Sequence, residues 1–123
     1  MAAECNVNII AKLSGLGDLQ EISKRFSTTA TPARALYHYE VQATADTEQA
    51  LELGDVATVD LIIIKCVEND IDIDTTYSIA FSAEIVVQEG EVAVFKPEGS
   101  TVYWMNSTAL ESCTIEYLVV GSA

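Results

Sequence analysis

Apolar residues crowd the middle of the chain and alternate with polar ones along much of the rest. Leu61-Ile62-Ile63-Ile64, flanked by Val59 and Val67, is the densest run, too rich in β-branched side chains for a solvated helix face. Glu68-Asn69-Asp70 then predicts a hairpin turn, because Asn and Asp accept positive φ at little cost. The returning stretch, residues 71–79, has a period of two. Ile71, Ile73, Thr75, Tyr77 and Ile79 lie on one side; Asp70, Asp72, Asp74, Thr76 and Ser78 lie on the other. Such a strand keeps one face in a core and turns the other to water or a partner.

Other segments obey the same rule. Residues 5–13 read as a first strand with Val7 and Ile9 on one face, ended by Gly15-Leu16-Gly17-Asp18. Residues 19–27 fit two readings. Asp18 with Glu21 resembles a capping box before Leu19, Ile22 and Phe26, but the alternation from Ile22 to Thr29 favours a strand. Thr31-Pro32 predicts a break. Ala35, Tyr37, Tyr39, Val41 and Ala43 alternate with Leu36, His38, Glu40, Gln42 and Thr44. Residues 46–53 suit one helical turn or a short edge strand. Residues 81–88 and 91–95 look like hairpin partners across Glu89-Gly90, and Lys96-Pro97-Glu98-Gly99 fits a type I turn. Residues 101–105 and 113–120 are the last two strands, joined by the polar segment 106–112. Eight or nine short strands with turn signals between them predict an all-β chain, an antiparallel β-sandwich or jelly roll. No repeat or linker divides it, so residues 1–123 read as a single β-sandwich domain.

Composition changes the picture mainly through charge. Six basic residues stand against 19 acidic ones, a formal net charge of −13. That field repels phosphates and anionic headgroups, which argues against nucleic acid and membrane surfaces as partners. It suits a solvated exterior, a basic partner or divalent cations. No apolar run approaches the roughly 20 residues of a membrane helix. Met1-Ala2-Ala3-Glu4 lacks the basic start of a signal peptide, so the expectation is a soluble protein made in a cytoplasm.

Few residues suggest chemistry. Asp70, Asp72 and Asp74 invite a calcium reading, but Thr75 and Phe81 stand where an EF-hand loop needs Gly and Glu. Their carboxylates, about 7 Å apart in successive pairs on a strand, suit a shared interface cation or an acidic edge that deters aggregation. Tyr103 and Trp104 beside the 106–112 loop suit either a sugar-stacking platform or core packing. His38 has neither a nucleophile nor an orienting acid in any recognisable signature, which leaves it as a surface or interface residue. Cys5, Cys66 and Cys113 lack metal-ligand spacing, and reduced thiols are favoured over a Cys66–Cys113 disulfide. Asn106-Ser107-Thr108 matches a glycosylation sequon, which has meaning only on a secretory route. Neither catalytic residues nor a cofactor or metal site are expected.

Several segments together resemble a loose group of small virion proteins of tailed bacteriophages. They are Leu51-Glu52-Leu53-Gly54-Asp55, Leu61-Ile62-Ile63-Ile64-Lys65, Glu89-Gly90-Glu91-Val92-Ala93-Val94-Phe95 and Ile115-Glu116-Tyr117-Leu118-Val119-Val120-Gly121. The resemblance covers roughly residues 50–121 and rests on structural rather than chemical motifs. Relatives often carry Lys-Asn after the apolar strand; here Lys65 is followed by Cys66, and Asn69 comes later. The resemblance implies a β-sandwich built into a virion, as a capsid decoration (cement-type) subunit or other accessory, with no catalytic residues. The partners implied are further copies of the chain, with a trimer favoured, and the major capsid protein or other virion proteins. Net charge −13 favours the capsid exterior, away from packaged DNA. The competing expectation is a lectin-like or receptor-binding module of a tail or surface adhesin, using Tyr103, Trp104 and the 106–112 loop.

Overall fold

The computed structural model describes residues 3–30, 33–99 and 101–123, and every regular element in them is a strand. The chain runs β1 (Ala3–Leu13), β2 (Gln20–Ala30), β3 (Ala33–Val41), β4 (Gln49–Ala50), β5 (Thr58–Glu68), β6 (Ile71–Asp74), β7 (Ile85–Val87), β8 (Val92–Phe95), β9 (Tyr103–Asn106) and β10 (Thr114–Ser122). The ambiguity at 19–27 resolves to strand, and that at 46–53 to the two-residue edge strand β4. The expected break at Thr31-Pro32 lies outside the described residues.

β1 and β2 pair with each other alone, as an antiparallel ribbon. The remaining strands build two four-stranded antiparallel sheets, ordered β3-β10-β5-β8 and β4-β9-β6-β7. The pairing is nested: β6 with β7, β5 with β8, β4 with β9 and β3 with β10. One long antiparallel ribbon, folded at residues 75–84, has been rolled up, and the β10–β5 and β6–β9 ladders close the roll. This is the jelly-roll order.

Rolling overturns two expected hairpins. Residues 59–67 and 71–79 do not pair, because β5 and β6 belong to different sheets. The same holds for 81–88 and 91–95, since β7 and β8 are also in different sheets. Asn69 does take positive φ, 59°, but its turn carries the chain across the sandwich. The physical reason is cover. Ile62, Ile64 and Cys66 all need burial, as do Ile71 and Ile73, and a flat hairpin would leave both sets on one sheet face. Crossing over sets them opposite each other in one core with Trp104, Ile115, Tyr117 and Val119. The strand expected to run to Ile79 stops at Asp74, where the chain turns around that carboxylate.

Two packing details shape the β3-β10-β5-β8 sheet. Gly121 sits at a register shift in the β10–β5 ladder, and a Cβ there would run into the Thr58 carbonyl and the Val56 side chain. In β3 the face turned to the core is the more polar one. Leu36 packs on the core and Gln42 is buried, while Tyr37, Tyr39 and Val41 point to solvent.

Candidate functional site

Asp70, Asp72 and Asp74, in and just before β6, do not converge. β6 lies between β9 and β7, so it is an interior strand rather than an acidic edge. Asp70 accepts a hydrogen bond from the Glu89 N–H at 2.8 Å, outside the strand. Asp72 stands on the outer face of its sheet, level with Met105 and Val86. Asp74 is buried and accepts the N–H groups of Thr76 and Ser82, both at 2.8 Å. Burial alone would raise its carboxyl, but these backbone donors and the Thr76 hydroxyl outweigh it and hold the carboxyl below its ordinary value. Asp74 is thus a structural clamp for the 75–82 turn. Among the described residues, no group of three or more His, Cys, Asp or Glu side chains is placed to hold a metal ion.

Trp104 is 0% exposed and offers no face to a sugar, which corrects the stacking platform. Its position on β9, opposite Ile73 and Gln49, aims the indole into the core. Tyr103 faces the other way and stacks on Tyr77 with ring centroids 3.8 Å apart; the Tyr77 hydroxyl donates to Glu48 at 3.1 Å. The 106–112 loop is tied down from beneath. The Asn106 amide donates to Asp46 and to the Thr108 carbonyl, and Asp46 also accepts the Leu110 N–H. Asn106 is buried in this node, so the asparagine of the sequon is not accessible.

His38 meets Tyr117 edge-on at 5.6 Å and lies 3.8 Å from the Glu52 carboxylate. Burial lifts the neighbouring Glu40 carboxyl; His38 opposes that shift and Glu52 adds to it. Cys66 and Cys113 are free and buried, donating to the carbonyls of Asn69 and Asp70. Burial pushes each thiol up to about 11, the opposite of an activated nucleophile.

What the fold does assemble is surface. On the outer face of the β3-β10-β5-β8 sheet, Tyr37, Leu118, Ile63 and Val94 line up in one row across four strands. The next row is Tyr39, Glu116, Lys65 and Val92, and the Glu116 carboxylate raises the Tyr37 hydroxyl above its ordinary value. Tyr37 is 62% exposed and Tyr39 and Val92 each 55%. In the preceding row Leu61 and Val120 are buried. Covering that end is the base of the β1–β2 arm. β2 lies against β10, β3 and β5, and Ile9, Phe26 and Thr28 share a groove with Leu61 and Val94.

Beyond that base the arm keeps its two-faced pattern without cover. The register puts Val7 with Phe26, Ile9 with Lys24, Ala11 with Ile22 and Leu13 with Gln20 on one face. Asn8 with Arg25, Ile10 with Ser23 and Lys12 with Glu21 form the other. Val7 is buried, whereas Leu13 is 46% exposed and Ile22 71%. Alternation in residues 5–13 and 22–29, and the aromatic side of 35–43, were the sequence signals. What they lacked was the information that these apolar sides end up outside. Comparison with known protein families, curated proteins and solved structures finds no match to this chain.

Proposed function

We propose that this chain is a structural subunit of a bacteriophage virion that assembles with copies of itself and decorates the capsid exterior. The observation that carries the reading is a jelly roll with apolar side chains exposed on two surfaces, Ile10, Leu13 and Ile22 on the arm and Tyr37, Tyr39 and Val92 on the outer sheet face, in a chain of net charge −13. Jelly rolls also serve lectins and cupins, so the fold alone is an analogy. Apolar faces left open on an otherwise acidic exterior are what a lattice component needs: adhesion in chosen places and repulsion elsewhere. The resemblance of residues 50–121 to tailed-phage virion proteins points the same way. The lectin-like alternative loses its main argument with Trp104 in the core.

Antibody raised against the chain should label the heads of gradient-purified virions from its host's lysates in electron micrographs. Purified particles that lack the protein, or labelling confined to tails, would overturn the capsid assignment.

A further inference from the structure

We infer that the β1–β2 arm docks through its apolar face onto the outer face of the β3-β10-β5-β8 sheet of a second copy of this chain. The proposal rests on the self-assembling part of the proposed function and needs no particular particle.

Continuity is the first argument. The arm's own base already covers the Leu61 and Val120 end of that outer face, which shows that the two surfaces fit chemically. The adjoining row offers the same kind of apolar sheet surface with less cover: Val94 still borders the groove, Ile63 and Leu118 are half-buried, and Tyr37 is exposed. Ala11, Leu13 and Ile22, on the covered face's own continuation, are likewise exposed.

Charge is the second argument. Lys12, Lys24 and Arg25 on the arm balance Glu4, Asp18 and Glu21, so the arm is neutral and holds three of the chain's six basic residues. The whole net charge of −13 therefore belongs to the remainder. Two such bodies repel, and the arm is the one part that approaches a second copy without that penalty. Lys24 shares the arm's apolar face with Ile9 and Ile22, and Glu116 sits in the middle of the receiving surface. An ion pair there would fix the register of docking.

Size sets the geometry of assembly. The uncovered part of the arm is about 17 Å long and about 10 Å wide by strand spacing. One such contact falls well short of the roughly 800 Å² per partner of a stable interface. Each copy must both give and receive an arm, in a two-fold exchange or a closed ring.

The test uses the full chain in a Cys5→Ser background. Ile22→Cys chains are mixed with Tyr39→Cys chains and oxidised gently. A disulfide-linked pair formed between the two variants, at least tenfold above either variant alone, supports the docking. An oligomer by light scattering that gives no such cross-link overturns it while leaving self-assembly standing. A wild-type monomer at 100 μM (a concentration on the order of a protein stock) overturns both. The double variant Leu13→Asp/Ile22→Asp should weaken association at least tenfold while the folded body, read by Trp104 fluorescence, is unchanged; unaltered mass would overturn the proposal.

Discussion

The jelly roll and the arm are written in the same alternating code, yet only one of them is closed by its own chain. In the roll, Ile71 and Ile73 face Ile62, Ile64 and Tyr117 across the sandwich, and all are buried. In the arm, Val7 is buried and Ile9 still borders the roll, but Ala11, Leu13 and Ile22 on the same face are exposed. Period two states which residues share a face; it does not state what lies opposite. A two-stranded ribbon alone is marginal in water, so the arm's order depends on its base and on whatever meets its tip. The difference between the regions is thus one of cover, and substitutions of like size should read it out.

The largest effect belongs to the roll. Trp104→Ala removes the biggest side chain of the core and should cost about 3–5 kcal/mol, enough to unfold a domain of ordinary stability. Gly121→Ala should come close behind, because the added methyl meets the Thr58 backbone, which cannot swing aside as a side chain would. Denaturant titration by circular dichroism checks both. A Trp104→Ala protein with an unchanged midpoint would mean the roll does not have the core described.

Asp74 sharpens the comparison from the polar side. Asp74→Ala strands the N–H groups of Thr76 and Ser82 and should cost about 1–3 kcal/mol. The pH dependence has a definite sign. A carboxyl held below its ordinary value stabilises the fold fully above the unfolded value near about 3.9 and loses that contribution as pH falls through the lower folded value. Thermal melts of wild type between pH 5 and 2 (a window on the order of the expected titration) should fall more steeply than those of Asp74→Asn. Parallel slopes would remove Asp74 as the anchor of the turn.

The thiols divide along the same line. Cys66 and Cys113, raised to about 11 by burial in the roll, should resist iodoacetamide at pH 8 until the protein is denatured. Cys5, half-buried on the arm, should be alkylated in the native state. Mass spectrometry of the labelled chain would show one adduct before denaturation and three after. Early labelling of Cys66 or Cys113 would show that the roll opens locally.

Much of this was legible in the residues, but unevenly. The strand content, the jelly-roll class, the positive φ at Asn69 and the buried thiols come from alternation, turn chemistry and composition. The partners of β5 and β8 did not, because turn residues such as Asn69 and Gly90 permit a crossover between sheets as readily as a hairpin. Strand faces were recovered as sets but not as inside or outside. β3 inverts the usual preference, exposing Tyr37 and Tyr39 while Gln42 and His38 turn inward, since Leu36 and the contact between His38 and Tyr117 fix its orientation. Asp70, Asp72 and Asp74 were legible as an alternating set and illegible as separate structural roles. The turn that closes over Asp74, from Thr76 to Ser82, leaves no mark in a period-two pattern.

The smallest effect on stability should be the most informative about the arm. Ile22→Ser alters a side chain that is 71% exposed and should move the stability of an isolated chain by no more than about 0.5 kcal/mol. Hydrogen exchange then separates the regions. In dilute solution the amides of Ala3–Leu13 and Gln20–Ala30 should exchange far faster than those of β5 and β10, because opening the arm uncovers little apolar surface. Raising the protein concentration should slow exchange in the arm and leave the roll unchanged, and Ile22→Ser should abolish that slowing. An arm already as protected as β5 in dilute solution would break the comparison: the ribbon would be part of one closed fold. Protection that grows with concentration would mean that the fold of the arm is completed by another copy.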